Sequence, residues 1–258
     1  MRAKSASTRM TALPSRSYKF ASRIGTRSSS VMQIIEIYKS LQGESSYSGL
    51  PCVFVRLAGC NLRCVWCDSE YTFKGGSRMS LEEVEAEVRR LSPDSGLVEI
   101  TGGEPMLQDR EVVPLMERLL AGGYTVLLET SGERPLAAVP KEVVKIVDVK
   151  CPDSGEGDTF LHENLNALTS RDELKFVIVS RSDYEFARDF VREFAADALV
   201  SSVIFSPAFR KDAAGSRSVD HCLLDPRDLA EWILADNLNV RLGFQIHKFI
   251  WEPSLKGV

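Results

Sequence analysis

Val53-Phe54-Val55-Arg56-Leu57-Ala58-Gly59-Cys60-Asn61-Leu62-Arg63-Cys64-Val65-Trp66-Cys67-Asp68 is the stretch on which the reading of this chain turns. An apolar run bounded by glycine reads as a strand, and three cysteines follow in the loop at its end. Their spacing is C-x3-C-x2-C. Three thiolates this close can hold three irons of a four-iron cluster, which ordinarily takes four cysteines. With no fourth cysteine nearby, one iron is left open to a ligand. Two other readings stand beside this one. Zinc wants four protein ligands or three plus water, and His162, His221 and His247 fall at no zinc-finger spacing. Simple core packing of the three cysteines is opposed by their loop position and by Asp68.

Outward from this stretch, short apolar runs alternate with helical patterns. Strands are predicted over 34–40, 53–58, 97–101, 124–129, 145–150, 174–179, 202–206 and 240–246, and helices over about 81–91, 109–121, 182–195 and 226–236. Ser80 and Glu83 form a capping box ahead of Leu81, Val84, Val88 and Leu91, which share one helical face. Tyr184, Ala187, Phe190, Val191 and Phe194 form another apolar stripe, and Asp225 with Pro226 opens the last helix. Strands spaced by helices predict a parallel α/β sheet with right-handed crossovers. Ligands then gather at the carboxyl ends of the strands.

The composition, 44% hydrophobic and 26% charged over 258 residues, suits one soluble globular domain with or without extensions. No run approaches the roughly 18 apolar residues of a membrane span. Residues 1–31 carry seven basic side chains and no acidic one, and the remaining 25 basic and 36 acidic residues leave −11. An acidic body argues against nucleic acid as partner. The first 31 residues lack hydrophobic periodicity and read as a disordered tail, a transit peptide, or sequence ahead of a true start at Met32. Six cysteines without a secretory h-region indicate a reducing compartment.

Other chemistry-bearing residues sit near predicted strand ends. Thr101-Gly102-Gly103-Glu104-Pro105 follows one strand, and its glycines let backbone approach a ligand. Glu129-Thr130-Ser131-Gly132 ends the next strand, and Lys150-Cys151-Pro152 the one after; hydroxyls and a lysine there suit ribose and carboxylate. Leu41-Gln42-Gly43-Glu44 and Arg56 can pair with an amino-pyrimidinone edge and grip a carboxylate. His247 and Lys248 end the last predicted strand.

The cysteine run, with aromatic Trp66 before its last cysteine, and the later Gly-Gly-Glu-Pro resemble the radical S-adenosylmethionine superfamily. More narrowly, residues 32–258 resemble the 7-carboxy-7-deazaguanine synthases. The opening Ile37-Tyr38-Lys39-Ser40-Leu41-Gln42-Gly43-Glu44, Arg56, Asp68, Lys150-Cys151-Pro152 and the closing Gln245-Ile246-His247-Lys248-Phe249-Ile250-Trp251 carry that likeness. The resemblance implies a partial (β/α) barrel of mostly parallel strands, a [4Fe-4S] cluster on Cys60, Cys64 and Cys67, and S-adenosylmethionine as a cofactor that is not consumed. Trp66 would lie near the adenine, and Gly103 and Glu104 near the methionine amino group. Asp68, Ser131, Lys150, Cys151 and Pro152 would complete that site. Leu41, Gln42, Gly43, Glu44, Arg56, Thr101, His247 and Lys248 would meet the substrate, 6-carboxy-5,6,7,8-tetrahydropterin, which is contracted to 7-carboxy-7-deazaguanine with loss of ammonia. Mg²⁺ would sit on Ser69, where the family usually has Thr; Ser45 likewise stands where it usually has Gly. A flavodoxin- or ferredoxin-type electron donor, a homodimer and a cytoplasmic setting are also implied, organellar import through residues 1–31 being the other possibility. The competing expectations are a glycyl-radical activating enzyme with the same cluster, and a non-catalytic zinc module.

Overall fold

The computed structural model describes residues 31–210, 219–252 and 255–257. The expectation for residues 1–31 lies outside the described residues except at Val31, which opens the first strand. In chain order the elements are β1 (Val31–Leu41), β2 (Pro51–Leu57), β3 (Ser77–Ser80), α1 (Leu81–Leu91), β4 (Leu97–Gly102), α2 (Asp109–Ala121), β5 (Thr125–Thr130) and β6 (Val144–Asp148). They continue with β7 (Glu173–Ile178), α3 (Arg181–Phe194), α4 (Ala196–Leu199), β8 (Ser202–Pro207), α5 (Pro226–Ala235), β9 (Arg241–Leu242) and α6 (His247–Ile250). The strands form one sheet in the order β3-β1-β2-β4-β5-β6-β7-β8-β9. From β2 to β9 every neighbouring pair is parallel, while β1 pairs antiparallel with β2 and β3. The sheet ends at β3 and β9 without joining them, which is the partial barrel.

Local chemistry sets the helix ends. Ser80 Oγ accepts the Glu83 N–H while the Glu83 carboxylate accepts the Ser80 N–H, so α1 begins at Leu81. Arg89 and Arg90 in its last turn complement the helix dipole. Val84 and Val88 are fully buried against the sheet, each stabilising the fold by about 1.5–3 kcal/mol. Asp225 caps α5 through the Arg227 N–H at 2.8 Å, with Pro226 at the first helical position. Among the described residues no helix is long and apolar enough to cross a membrane.

The sheet is mostly parallel, as expected; β1 is the exception, because only residues 42–50 join it to β2, too few for a crossover and enough for an antiparallel return. One expectation is corrected. The last strand stops at Leu242 rather than running to Ile246. Gly243 N–H still donates to Phe205 O at 2.8 Å, but the Ile246 N–H is drawn to Gly43 O at 3.0 Å, which pulls the chain off the sheet edge. His247 and Lys248 consequently stand on the single turn α6, not at a strand end.

The strands alternate faces. Residues such as Val98, Ile100, Val126, Leu128, Leu174 and Phe176 pack in the core that includes the helices. On the other face Cys52, Phe54, Leu97, Leu127, Val144 and Ile146 form a small apolar floor inside the barrel. The next inward positions along the strands are polar: Arg56, Glu99, Thr101, Glu129, Asp148 and Lys175. The period of two thus divides the interior into an apolar floor and a polar chamber.

Candidate active site

One cavity of about 500 Å³ opens above that floor. Cys60, Cys64, Cys67, Trp66, Asp68 and Ser69 line it on the loop after β2. The three thiols are half-buried and free. The loop is pinned from outside: Val65 N–H donates to Ser154 O at 3.0 Å and Arg63 N–H to Glu156 Oε1 at 2.6 Å. On its inner side the Glu104 N–H donates to Gly59 O at 2.8 Å. Burial pushes the Cys64 thiol up to about 11 against the pull of Lys150, and burial raises Cys60 and Cys67 too. Loading iron must therefore displace protons.

No other cysteine lines the cavity among the described residues. Cys151 is 1% exposed in the hydrophobic core, and Pro152 does not line the cavity either, so the side chains of both stand outside the place expected of them. The donor set thus fits a cluster held by three thiolates with one iron open. No group of three His, Cys, Asp or Glu is arranged around a single metal ion among the described residues.

Gly103 presses against the cysteine loop: a Cβ there would lie 2.2 Å from Gly59 O and 2.8 Å from Cys60 Cβ. Only glycine lets the β4 end meet this loop. Glu104 is 1% exposed, and its carboxylate accepts from four donors: Thr130 Oγ1, Met106 N, Ser131 N and Ser131 Oγ, at 2.7–3.0 Å. It braces the ends of β4 and β5 together, and burial raises its pKa despite those donors. The Ser131 hydroxyl spends its proton on that brace, so both side chains hold the wall of the expected methionine and ribose site. Lys150 Nζ donates to Asp148 Oδ2 at 2.7 Å and faces Cys64; Asp148 and then Cys64 hold its pKa above the ordinary lysine range although burial opposes them.

The opposite end of the cavity is built by the turn between β1 and β2, which folds inward and reaches β7. Glu44 Oε2 accepts from Lys175 Nζ at 2.7 Å, and Ser46 bonds Glu173. Burial would raise the Glu44 carboxyl, but Lys175 and His247 outweigh it and bring it down to about 2. Gln42, 3% exposed, is spent within the turn: its Oε1 accepts the Glu44 and Ser45 N–H at 2.9 and 3.0 Å. The Ser45 hydroxyl accepts the Tyr47 N–H at 3.1 Å, a use for the side chain that a glycine lacks. Arg56 donates to Glu36 and Tyr38, each at 3.0 Å. Thr101 Oγ1 donates to Glu129 Oε2 at 3.3 Å. Leu41, Gly43, His247 and Lys248 also line the cavity, and a Cβ on Gly43 would meet His247 Nδ1 at 2.3 Å.

At Ser69 the hydroxyl donates to Asp68 Oδ1 at 2.9 Å, leaving its oxygen lone pairs for a cation. Lys248 Nζ holds Asp68 Oδ2 at 2.5 Å and, outweighing burial, draws the Asp68 carboxyl well below the usual carboxylate range. A hard cation meets one neutral oxygen here and would complete its shell with substrate oxygens and water.

Sequence reasoning passed over Glu99, Asp148 and Lys175, and named Glu129 at a strand end without giving it a role. Lys175 is 2% exposed and pairs with Glu44, Glu129 and, at 3.7 Å, Asp148. The signal was available: each is a charged residue alternating with apolar ones in a run buried on both faces.

Residues 54–194 match the Radical SAM superfamily. A protein of Koribacter versatilis (strain Ellin345), described as 7-carboxy-7-deazaguanine synthase, is 70% identical over 227 residues, 88% of this chain and 100% of that protein. One of the same description from Chlorobaculum tepidum is 39% identical over 88% of this chain and 97% of its own length. Among solved structures, QueE from Escherichia coli superposes with a TM-score of 0.65 at 24% identity, covering 83% of this chain and 94% of that one, a likeness of fold.

Proposed function

Since this chain belongs to the Radical SAM superfamily and, within it, to the 7-carboxy-7-deazaguanine synthases, we propose that its cavity contracts 6-carboxy-5,6,7,8-tetrahydropterin to 7-carboxy-7-deazaguanine, with release of ammonia, in 7-deazapurine (queuosine) biosynthesis. The observation that carries the reading is that three free thiols and a polar chamber share one cavity. When bound, the cluster and S-adenosylmethionine supply one-electron chemistry. The residues divide the rest. Cys60, Cys64 and Cys67 hold the cluster; Gly103 admits the cofactor close to it; Trp66 offers a face to the adenine. Lys150 supplies a cation at the cofactor end. Glu44, Glu129 and Asp148 accept from the pterin's N–H edge, while Arg56, held by Glu36 and Tyr38, meets its carboxylate. The walls of the cavity limit access of water to the reacting centre. The 70% relative carries a small-molecule synthase description, which favours this over a glycyl-radical activating enzyme.

Mg²⁺ on Ser69 belongs to the same reading, supported by the free lone pairs of its hydroxyl. The test is anaerobic turnover of the tetrahydropterin by the reconstituted chain, with and without Mg²⁺. Product absorbance is expected, raised at least about threefold by Mg²⁺; in Ser69→Ala the stimulation should shrink while S-adenosylmethionine binding persists. A pterin left unconverted by a cluster-loaded chain would sink the substrate assignment, and equal stimulation of Ser69→Ala the Mg²⁺ site.

The reading also includes a flavodoxin- or ferredoxin-type donor, a cytoplasmic setting and a homodimer. Six free thiols support a reducing compartment, and the open sheet edges at β3 and β9 leave room for a partner copy. Sedimentation should give twice the 28.7 kDa chain mass; a single-chain mass would remove the homodimer.

A further inference from the structure

Glu99 is the third residue of β4 and points into the chamber, where it is 2% exposed and lines the cavity. Lys175, the lysine nearest to hand, spends its ammonium on Glu44, Glu129 and Asp148. The hydrogen bond that reaches the Glu99 carboxyl comes from Gln42 Nε2, at 3.1 Å to Oε2. The same carboxamide uses its oxygen to hold the Glu44 and Ser45 N–H groups. Glu99, Gln42 and the backbone of Glu44 therefore form one chain of contacts from the barrel wall to the carboxylate on Lys175. A buried amide N–H needs an acceptor, and Glu99 is the acceptor that locks the carboxamide in the orientation the turn requires.

We propose that Glu99 is a positioning residue for the pterin end of the cavity: through its hydrogen bond to Gln42 it fixes the turn that presents Glu44. The proposal rests on the reading of Glu44 as a substrate-facing group. Two further facts bear on how Glu99 does this. Burial, then the charges of Glu129 and Glu44, push its carboxyl well above the usual range, which favours its protonated form. The titratable groups facing it are Tyr38 from β1, Cys52 from β2, Glu44 from the inward turn, Glu129 from β5 and Lys175 from β7. Ionising Glu99 as pH rises adds a negative charge that competes with Glu44 and Glu129 for Lys175, which loosens the turn.

The test uses the full chain with reconstituted cluster and Mg²⁺, varying the tetrahydropterin. Glu99→Leu leaves the Gln42 donor unpaired and should raise the pterin KM by about tenfold or more, with kcat within about threefold and S-adenosylmethionine affinity unchanged. Glu99→Gln keeps shape, neutrality and an acceptor for Gln42, so its KM at pH 7 should stay within about twofold of the native value. In the native enzyme any rise of KM with pH that comes from Glu99 should be absent in Glu99→Gln. A native pterin KM in the folded Leu variant, or a KM in the Gln variant raised as far as in the Leu variant, overturns the proposal. Glu44→Gln separates the two layers. Should it leave KM unchanged, the substrate-facing reading falls and this inference with it; should it raise KM while neither Glu99 variant departs from native behaviour, only the inference falls.

Discussion

Reconstituted anaerobically with iron and sulfide, a Cys64→Ala chain is expected to remain nearly colourless and to cleave S-adenosylmethionine at under about one-thousandth of the native rate. The size of the effect follows from the donor set. Two thiolates hold two irons of a cluster that already lacks a fourth protein ligand. No substitute is at hand, since Cys151 is packed in the core, Cys52 lies in the apolar floor, and Cys222 is buried away from the cavity. The loop is held by hydrogen bonds from Val65, Arg63 and Glu104 that involve no cysteine side chain. Thermal stability of the metal-free variant should therefore stay within a few degrees of the native apo-chain. Gly103→Ala provides the graded comparison: all three ligands remain, but the new Cβ would stand 2.2 Å from Gly59 O and displace the loop. Overpacking of that kind costs about 1–3 kcal/mol, so its iron content should fall only in part. Cleavage retained in Cys64→Ala, measured as deoxyadenosine formed per chain, would refute the ligand assignment.

The boundary of α1 was legible because its cause is local: Ser80 and Glu83 close the capping box that the spacing predicts. The cysteine loop was legible because thiol spacing is itself the chemistry. The antiparallel return of β1 could have been read from the nine residues between Leu41 and Pro51, a length that admits a turn but not a crossover. Two features were beyond a local reading. Whether a strand continues past Gly243 depends on a carbonyl at Gly43, two hundred positions away. Whether Glu104 contacts a ligand or braces a wall depends on Thr130 and Ser131 arriving from the next strand. The inner charged residues occupy a middle ground. Glu99, Glu129, Asp148 and Lys175 each interrupt an apolar run with a charge at the period of a strand. In a sheet buried on both faces, that pattern marks a polar chamber.

Lys175→Met is expected to be the most disruptive single change away from the cluster. The native ammonium sits among Glu44, Glu129 and Asp148 with almost no access to water. Methionine fills a similar volume but leaves Glu44 and Glu129 without the ammonium they share, while Asp148 keeps only Lys150. Removing one member of a buried ion network costs about 3–5 kcal/mol. At roughly 2–4 °C per kcal/mol for a chain approaching this size, Tm should fall by about 6–20 °C. The pH dependence separates this cause from lost packing. In the native protein the Glu44 carboxyl lies near 2, below its ordinary value, so its stabilisation is in force above the usual carboxylate range and disappears as pH falls through about 2. Without Lys175 that depression is lost, and acidification relieves the repulsion by protonating the chamber. The Tm deficit should therefore narrow between pH 8 and pH 5, whereas a packing defect would be indifferent to pH. Pterin turnover should drop by about a hundredfold while iron content holds, because the partners of Lys175 are Glu44, Glu129 and Asp148 and not the cysteine loop. A Tm within 2 °C of native would show that the acids need no cation. The native arrangement stops short of full neutralisation: Asp148 Oδ1 is buried with no hydrogen-bond partner among the described residues. Lys175 against Glu44, Glu129 and Asp148, with Lys150 also on Asp148, keeps the chamber folded and still leaves acceptors facing inward, which is the condition a substrate edge rich in N–H donors requires.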